Sequence, residues 1–201
     1  LNMNIFKGIK KEAVKASQML AKTKGEPKWC KGHGLRNTHL LAVAPNSSSA
    51  LVCGSVSQGI EPTYKNVFVQ GSPSGEINRI NPVLVKLMKE KDVYSTETID
   101  QIIKDNGSVQ LVDWLTDEEK VVFKTSFEIN QEILVRLASG RQRYICQAQS
   151  LNLFFPSSTT EAEISRVHKI AFKDKYIKSL YYLRSEAGVR GSSGECVACE
   201  G

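Results

Sequence analysis

Phe6, Ile9, Ala13, Ala16 and Leu20 recur at three- and four-residue spacing near the start of the chain. This is one stripe of a helix, and it predicts an amphipathic helix over about residues 4–23, ended by Gly25 and Pro27. Gly32, His33 and Gly34 read as a loop. Residues 38–44 form a short apolar run stopped by Pro45, the pattern of a buried strand. A polar turn over 46–49 leads into an apolar stretch, 50–57, that predicts a short helix. Residues 64–70 alternate well enough for a strand, closed by Gly71, Pro73 and Gly75. Helices follow near 82–90 and 96–105, the second broken by Asn106-Gly107.

Thr116-Asp117-Glu118-Glu119 has the form of a capping box, and predicts a long helix from there to about residue 139. Residues 144–155 suit a strand: Ile145, Leu151, Leu153 and Phe154 are apolar or aromatic, and Pro156 stops the run. Thr160 and Glu163 form a second capping box, starting a helix with Ile164, Val167, Ala171 and Ile177 broadly on one side. From residue 185 the chain is rich in Gly and Ser and predicts a flexible tail. No internal repeat is visible. Strands and helices interleave, which gives an α/β or α+β class. So few strands are a poor basis for a closed sheet on their own.

The chain has 201 residues, 41% hydrophobic and 24% charged, which suits one compact domain or a domain with a tail and excludes wholesale disorder. No window is apolar enough for a transmembrane span, and no secretory signal pattern is present. Five Cys, an odd number and thinly spread, do not make a disulfide scaffold, so the expected compartment is the reducing cytoplasm. The chain opens at Leu1 and its first Met is Met3, as expected of a fragment or a processed product.

The net charge of +6 is localised. Residues 1–31 carry eight Lys against Glu12 and Glu26, and the remainder is electrically balanced. A basic stretch can be a nucleic-acid footprint. Here the lysines fit the solvated face of the predicted helix, and no aromatic residue alternates with them between Lys7 and Lys28 to offer a base-stacking surface.

Three places could carry chemistry. Pro45-Asn46-Ser47-Ser48-Ser49-Ala50 lies between a predicted strand and a predicted helix. Helix N-termini present unpaired N–H groups and attract anions, but a Ser-rich turn also serves simply as an N-cap. Tyr181-Tyr182 lies at the end of the last predicted helix and, on residue type alone, reads as two ordinary amphipathic side chains, one inward and one at the rim. Cys196-Val197-Ala198-Cys199 could close a disulfide or take half of a zinc site, with Cys30-Lys31-Gly32-His33 able in principle to complete it.

Taken in order, these segments resemble the C-terminal part of the large, catalytic subunit of class I ribonucleotide reductase. The resemblance is carried by Lys15-Ala16-Ser17 and Leu20-Ala21-Lys22, by Gly34-Leu35-Arg36-Asn37-Thr38, and by Ala44-Pro45 with the Ser-rich turn. It continues through Gly59-Ile60-Glu61-Pro62, Asn106-Gly107-Ser108-Val109-Gln110 and Gln147-Ala148-Gln149-Ser150-Leu151-Asn152. It ends with Leu180-Tyr181-Tyr182-Leu183-Arg184 and the terminal Cys pair. The fold it implies is α/β: the C-terminal portion of a ten-stranded α/β barrel, incomplete on its own. Residues 1–31 would be a basic leader helix and loop, 32–184 the barrel portion, and 185–201 a flexible redox-active tail.

The family reduces ribonucleoside diphosphates to deoxyribonucleoside diphosphates for DNA synthesis. A radical made in a metal-containing small subunit oxidises a cysteine of the large subunit. The thiyl takes a hydrogen from the ribose, and a cysteine pair supplies the reducing equivalents. By resemblance, Pro45, Asn46, Ser47, Ser48, Ser49 and Ala50 form the loop that holds the substrate diphosphate. The turn has no Lys or Arg, so backbone N–H groups would do most of the binding.

Tyr181 and Tyr182 would be the radical relay, Tyr181 nearer the catalytic cysteine and Tyr182 facing the small subunit. Neighbours in a regular helix point about 100° apart, so the helix is expected to end near Ser179 and residues 180–184 to be extended or irregular. Cys196 and Cys199 would be the tail dithiol that re-reduces the active-site disulfide and is itself reduced by thioredoxin or glutaredoxin. The linker over 185–195 spans roughly 18 Å r.m.s., which gives an effective concentration on the order of mM. Glu195 and Glu200 flank the pair and should disfavour thiolate.

The family's catalytic loop, Asn-x-Cys-x-Glu, does not occur in this sequence. Cys53 and Cys146 read as buried apolar residues and Cys30 as a loop thiol. The chain is therefore expected to need an N-terminal partner for the catalytic cysteine and the rest of the barrel. It would be either a truncated piece or one part of a large subunit encoded in two. No cofactor or metal is expected on this chain, and neither nucleic acid nor membrane among its partners. Two other readings stand beside this one: a zinc-containing nucleic-acid-binding module, and a folded but inactive scaffold.

Overall fold

The computed structural model describes residues 1–54, 57, 59–72 and 75–186, with side chains described for all of these except Ser47, Leu51, 69–72 and 75–78. In chain order the elements are α1 (Asn2–Lys24), α2 (Ser47–Val52), β1 (Val67–Ser72), β2 (Gly75–Ile80), α3 (Pro82–Glu90), α4 (Thr96–Lys104), α5 (Asp117–Val122), α6 (Gln131–Gln142), β3 (Leu153–Phe155), α7 (Glu161–Lys173) and β4 (Leu183–Ser185). Single 3-10 turns lie at Lys28–Cys30 and Ser126–Glu128. β1 pairs with β2, and β3 with β4, as two two-stranded sheets. The described residues divide into two compact units, one of residues 1–45, 131–153 and 160–182, the other of 46–54, 57, 59–72, 75–130, 154–159 and 183–186.

In the first unit α1 packs on α6, and α6 on α7. The buried face of α1 is rotated from the predicted stripe: Ser17 and Ala21 are buried, Phe6 and Ala13 half-buried, and Ile9 and Leu20 exposed. The cause is polar. Ser17 Oγ accepts the backbone N–H groups of Arg36 and Asn37, both at 3.0 Å, and donates to Asn37 Oδ1 at 3.2 Å. Each of those donors left unmet in a buried place would cost about 1–3 kcal/mol, as much as or more than burying half of an Ile or Leu gains. At the start of α1, Asn2 Nδ2 donates to the Leu137 carbonyl of α6 at 2.8 Å. Gly140 permits this approach, since a Cβ there would stand 3.1 Å from Met3 Cγ.

Leu134, Val135 and Ala138 of α6 and Val167 and Ala171 of α7 are buried. The predicted Thr160/Glu163 capping box is present: Thr160 N–H donates to Glu163 Oε2 at 3.1 Å, and Glu163 N–H to Thr160 Oγ1 at 3.3 Å. Arg166 of α7 pairs with Glu132 of α6. The apolar run 38–44 is not a buried strand. Only Val43 bridges, in parallel to Gln149. Its N–H donates to the Ala148 carbonyl at 3.3 Å and its carbonyl accepts from Ser150 N–H at 2.7 Å. That use of the 148–150 backbone is also why the strand predicted over 144–155 is reduced to Leu153–Phe155.

In the second unit β1 and β2 form an antiparallel hairpin, with register from Val67↔Ile80 to Ser72↔Gly75. Val67, Leu84, Met88, Ile102, Val109, Val112, Leu115 and Phe123 make one buried cluster. α4 ends as predicted at Asn106-Gly107: Gly107, at φ 82°, donates its N–H to the Ile102 carbonyl at 2.8 Å. A Cβ on Gly107 would lie 2.6 Å from Lys65 Cβ, so only glycine fits. The fully buried Asn66 ties the unit together. Its Nδ2 donates to the carbonyls of Gly107 at 3.3 Å and Phe123 at 2.8 Å, and its Oδ1 accepts from Asn81 Nδ2 at 3.1 Å.

The long helix predicted from Thr116 is broken. The Thr116/Glu119 capping box is present, but α5 ends at Val122. Thr125 and Glu128 form a further capping box that starts the 3-10 turn, with Thr125 N–H donating to Glu128 Oε2 at 2.7 Å. Ser126 N–H donates outside any helix, to the Thr63 carbonyl at 2.8 Å.

Candidate functional site

The Ser-rich turn begins a helix three residues earlier than the sequence predicts. α2 starts at Ser47 rather than at residue 50, so the serines are its first turn. Ala50 N–H donates to the Asn46 carbonyl at 2.8 Å, and Cys53 N–H to the Ser49 carbonyl at 2.9 Å. The first N–H groups of a helix have no acceptor within it, and the segment 45–50 carries no charged side chain. Pro45, Asn46, Ser48 and Ser49 are exposed and Ala50 is buried, so the turn offers backbone donors and small hydroxyls from a fixed base.

The last helix ends at Lys173, six residues before the predicted end at Ser179, and Tyr181 and Tyr182 lie on backbone that is neither helix nor strand. Asp174 takes the chain out of the helix. Its Oδ1 accepts from Tyr176 N–H at 2.8 Å, Ile177 N–H at 3.1 Å and Ser139 Oγ at 2.9 Å. Burial pushes the Asp174 carboxyl up, but those three donors and the charge of Arg143 outweigh it and hold the group below the usual carboxylate range.

The ring centroids of Tyr181 and Tyr182 are 4.1 Å apart with planes at 55°. Tyr181 is 49% and Tyr182 38% exposed, so two touching phenols stand at the surface of their unit. Beneath them, Tyr181 N–H donates to the Leu151 carbonyl at 2.8 Å, and Leu153 N–H to the Tyr182 carbonyl at 2.9 Å. The contact between the two rings is thus built from the backbone up.

Cys196 and Cys199 lie outside the described residues. The other three cysteines differ from expectation. Cys30 is buried, because the Lys28–Cys30 turn folds it inward, whereas Cys53 is exposed at the end of α2 and Cys146 is half-buried. Burial acts to raise the Cys146 thiol, but the N–H groups of Leu40 and Leu41 and the charge of Lys10 prevail and lower it. Leu40 N–H reaches its Sγ at 3.4 Å. Among the described residues no three His, Cys, Asp or Glu side chains gather as they would around a metal ion. No described helix is long and apolar enough to cross a membrane.

Gln149 and Asn152 were visible in the sequence only as part of a family resemblance, yet they organise the backbone beneath the tyrosines. Gln149 is buried; its Nε2 donates to the Ala138 carbonyl at 2.9 Å and to Gln142 Oε1 at 2.8 Å, and its Oε1 accepts from Arg141 Nε at 2.6 Å. Asn152 Oδ1 accepts from Tyr182 N–H at 3.3 Å. The signal available was polar amides interrupting an apolar run.

Comparison with known proteins places the chain in a family. The family described as the barrel domain of ribonucleotide reductase matches residues 28–183. A protein of Frog virus 3 (isolate Goorha), named for the ribonucleoside-diphosphate reductase large subunit, is 43% identical over 98% of this chain and 36% of its own length. The ribonucleoside-diphosphate reductase large subunit of Invertebrate iridescent virus 3 is 40% identical over 92% of this chain and 30% of its own length. Among solved structures, the class Id ribonucleotide reductase alpha subunit of Actinobacillus ureae is 38% identical, with a TM-score of 0.83 over 99% of this chain and 35% of that one. None of these supports the zinc-containing nucleic-acid module. The chain thus spans about a third of the length of these relatives, and it belongs to the ribonucleotide reductase large-subunit family, within the barrel domain.

Proposed function

We propose that this chain is the C-terminal component of a ribonucleoside-diphosphate reductase large subunit and that it works only with the rest of that subunit and a small, radical-generating subunit. Its three contributions are a phosphate-holding turn over 45–50, a relay at Tyr181 and Tyr182, and a tail dithiol at Cys196 and Cys199.

The relay rests on the contact between the two phenols, 4.1 Å between ring centroids, which is the observation that carries this reading. Oxidation makes a phenol a strong acid, so electron and proton leave together. Tyr182 passes its hole to Tyr181 and recovers its hydrogen from it. Tyr181 in turn takes a hydrogen atom from a cysteine thiol in the rest of the large subunit, leaving a thiyl that abstracts hydrogen from the substrate ribose. The turn at 45–50 would hold the diphosphate through helix-end N–H groups. After reduction of the substrate an active-site cysteine pair is left as a disulfide. Exchange with the Cys196/Cys199 dithiol returns two electrons and two protons to it and moves the disulfide to the tail, where thioredoxin or glutaredoxin reduces it.

The test is reconstitution. This chain, mixed with a polypeptide supplying the Asn-x-Cys-x-Glu loop and with the small subunit, should form deoxyribonucleoside diphosphate in the presence of dithiol. Either partial mixture should form none. Product formation without this chain would overturn the reading.

A further inference from the structure

Half-exposed rings are poorly held by packing. The contact of an aromatic pair adds little beyond its burial, too little to keep two surface tyrosines in one arrangement. The backbone beneath must do so, and residues 151–153 supply it. Tyr181 N–H donates to the Leu151 carbonyl, and Leu153 N–H donates to the Tyr182 carbonyl. Those are main-chain bonds. The third restraint comes from a side chain: Asn152 Oδ1 takes Tyr182 N–H at 3.3 Å, so both polar groups of the Tyr182 backbone are engaged.

The segment that carries Asn152, just before β3, is itself anchored. Leu151 and Leu153 are buried, and Gln149 is clamped to α6 through Arg141, Gln142 and the Ala138 carbonyl. Ser179 Oγ adds a bond to the Gln149 carbonyl at 3.3 Å, just before the tyrosines. Asn152 sits between two buried leucines, where a polar side chain needs a partner, and the Tyr182 N–H is one.

We propose that Asn152 is a positioning residue for the tyrosine pair, fixing the Tyr182 backbone so that the two phenols stay in contact during radical transfer. This rests on the relay reading above. The two main-chain bonds hold the peptide planes on either side of the one that joins the two tyrosines, and Asn152 holds that one; without this acceptor it is held less tightly. A misplacement of about 1 Å in a reacting group costs on the order of 100-fold in rate.

Asn152→Ala and Asn152→Asp, each in this chain assembled with the rest of the large subunit and the small subunit, test it. Asn152→Ala should lower kcat by roughly 10- to 100-fold and leave KM for the nucleoside diphosphate within about twofold. Asn152→Asp keeps the acceptor and should restore most of kcat. In the chain alone, the ring-proton shifts that each tyrosine induces in the other should collapse in Asn152→Ala and persist in Asn152→Asp. If Asn152→Ala does not fold, Asn152→Leu, which keeps the shape and lacks the acceptor, takes its place with the same expectations. Tyr181→Phe run alongside separates the two readings. Normal turnover by Tyr181→Phe would remove the relay itself. An inactive Tyr181→Phe beside wild-type kcat in Asn152→Ala, equal loss in the Ala and Asp variants, or unchanged ring shifts would overturn the role of Asn152 alone.

Discussion

Tyr181 and Tyr182 are neighbours in sequence, yet their ring centroids lie 4.1 Å apart. Neither regular helix nor regular strand brings adjacent side chains together: a helix turns them about 100° apart and a strand sends them to opposite faces. The contact therefore depends on the irregular stretch between α7 and β4. Because both rings are partly exposed, removing the hydroxyls should hardly disturb the fold. The Tyr181→Phe/Tyr182→Phe double variant is expected to unfold in urea within about 1 kcal/mol of wild type. A larger loss would mean that the hydroxyls hold structure as well.

Asn66 is a stronger structural point. It is buried, and it serves two carbonyls and the Asn81 amide at once. Asn66→Ala leaves three polar groups without this partner and should cost about 3 kcal/mol in urea unfolding. A loss under about 1 kcal/mol would show that water replaces the amide.

Asp174 sets a pH dependence. Its carboxyl is held below its ordinary value in the folded chain despite burial, by the Tyr176 and Ile177 N–H groups, Ser139 and Arg143. A group depressed in the folded state contributes stability that is present above its unfolded pKa and is lost as pH falls through the folded value. Asp174→Asn should therefore be about 1 kcal/mol less stable than wild type at pH 7, with the gap shrinking as pH drops below the ordinary aspartate value of 3.8. A gap independent of pH would deny the carboxylate this role.

What the sequence made legible follows a physical line. Local chemistry read correctly: the capping boxes at Thr116/Glu119 and Thr160/Glu163 and the stop at Asn106-Gly107 all appear where side chains satisfy nearby backbone. The break after Val122 was equally local, a Thr125/Glu128 box hidden inside an apolar pattern that suited a continuing helix. Features that depend on distant partners did not read. Ser17 turns α1 because Arg36 and Asn37 arrive beside it, and residues 147–150 leave the predicted strand because Leu41 and Val43 claim their backbone. β2 lacks a clean alternation and was missed. At the candidate site, the irregular backbone of the tyrosine pair was expected, since adjacent rings require it. The support from Asn152 and Gln149 needs the fold to be seen.

The tail dithiol can be tested apart from the relay. Cys196→Ser/Cys199→Ser in the assembled reductase should keep turnover with a small-molecule dithiol, which reaches the active-site disulfide directly. It should lose most turnover, about tenfold or more, with thioredoxin or glutaredoxin, as expected when an effective concentration on the order of mM is removed. Equal loss with both reductants would count against a shuttle.

Phenylalanine has the shape of tyrosine but no O–H to give up, so it cannot carry a proton-coupled radical. The most direct measurement is deoxynucleotide formation by the assembled reductase with Tyr181→Phe or Tyr182→Phe, alongside binding of the small subunit. The predicted result is product at background for each single variant with binding unchanged. Turnover at the wild-type rate by either one would contradict the relay.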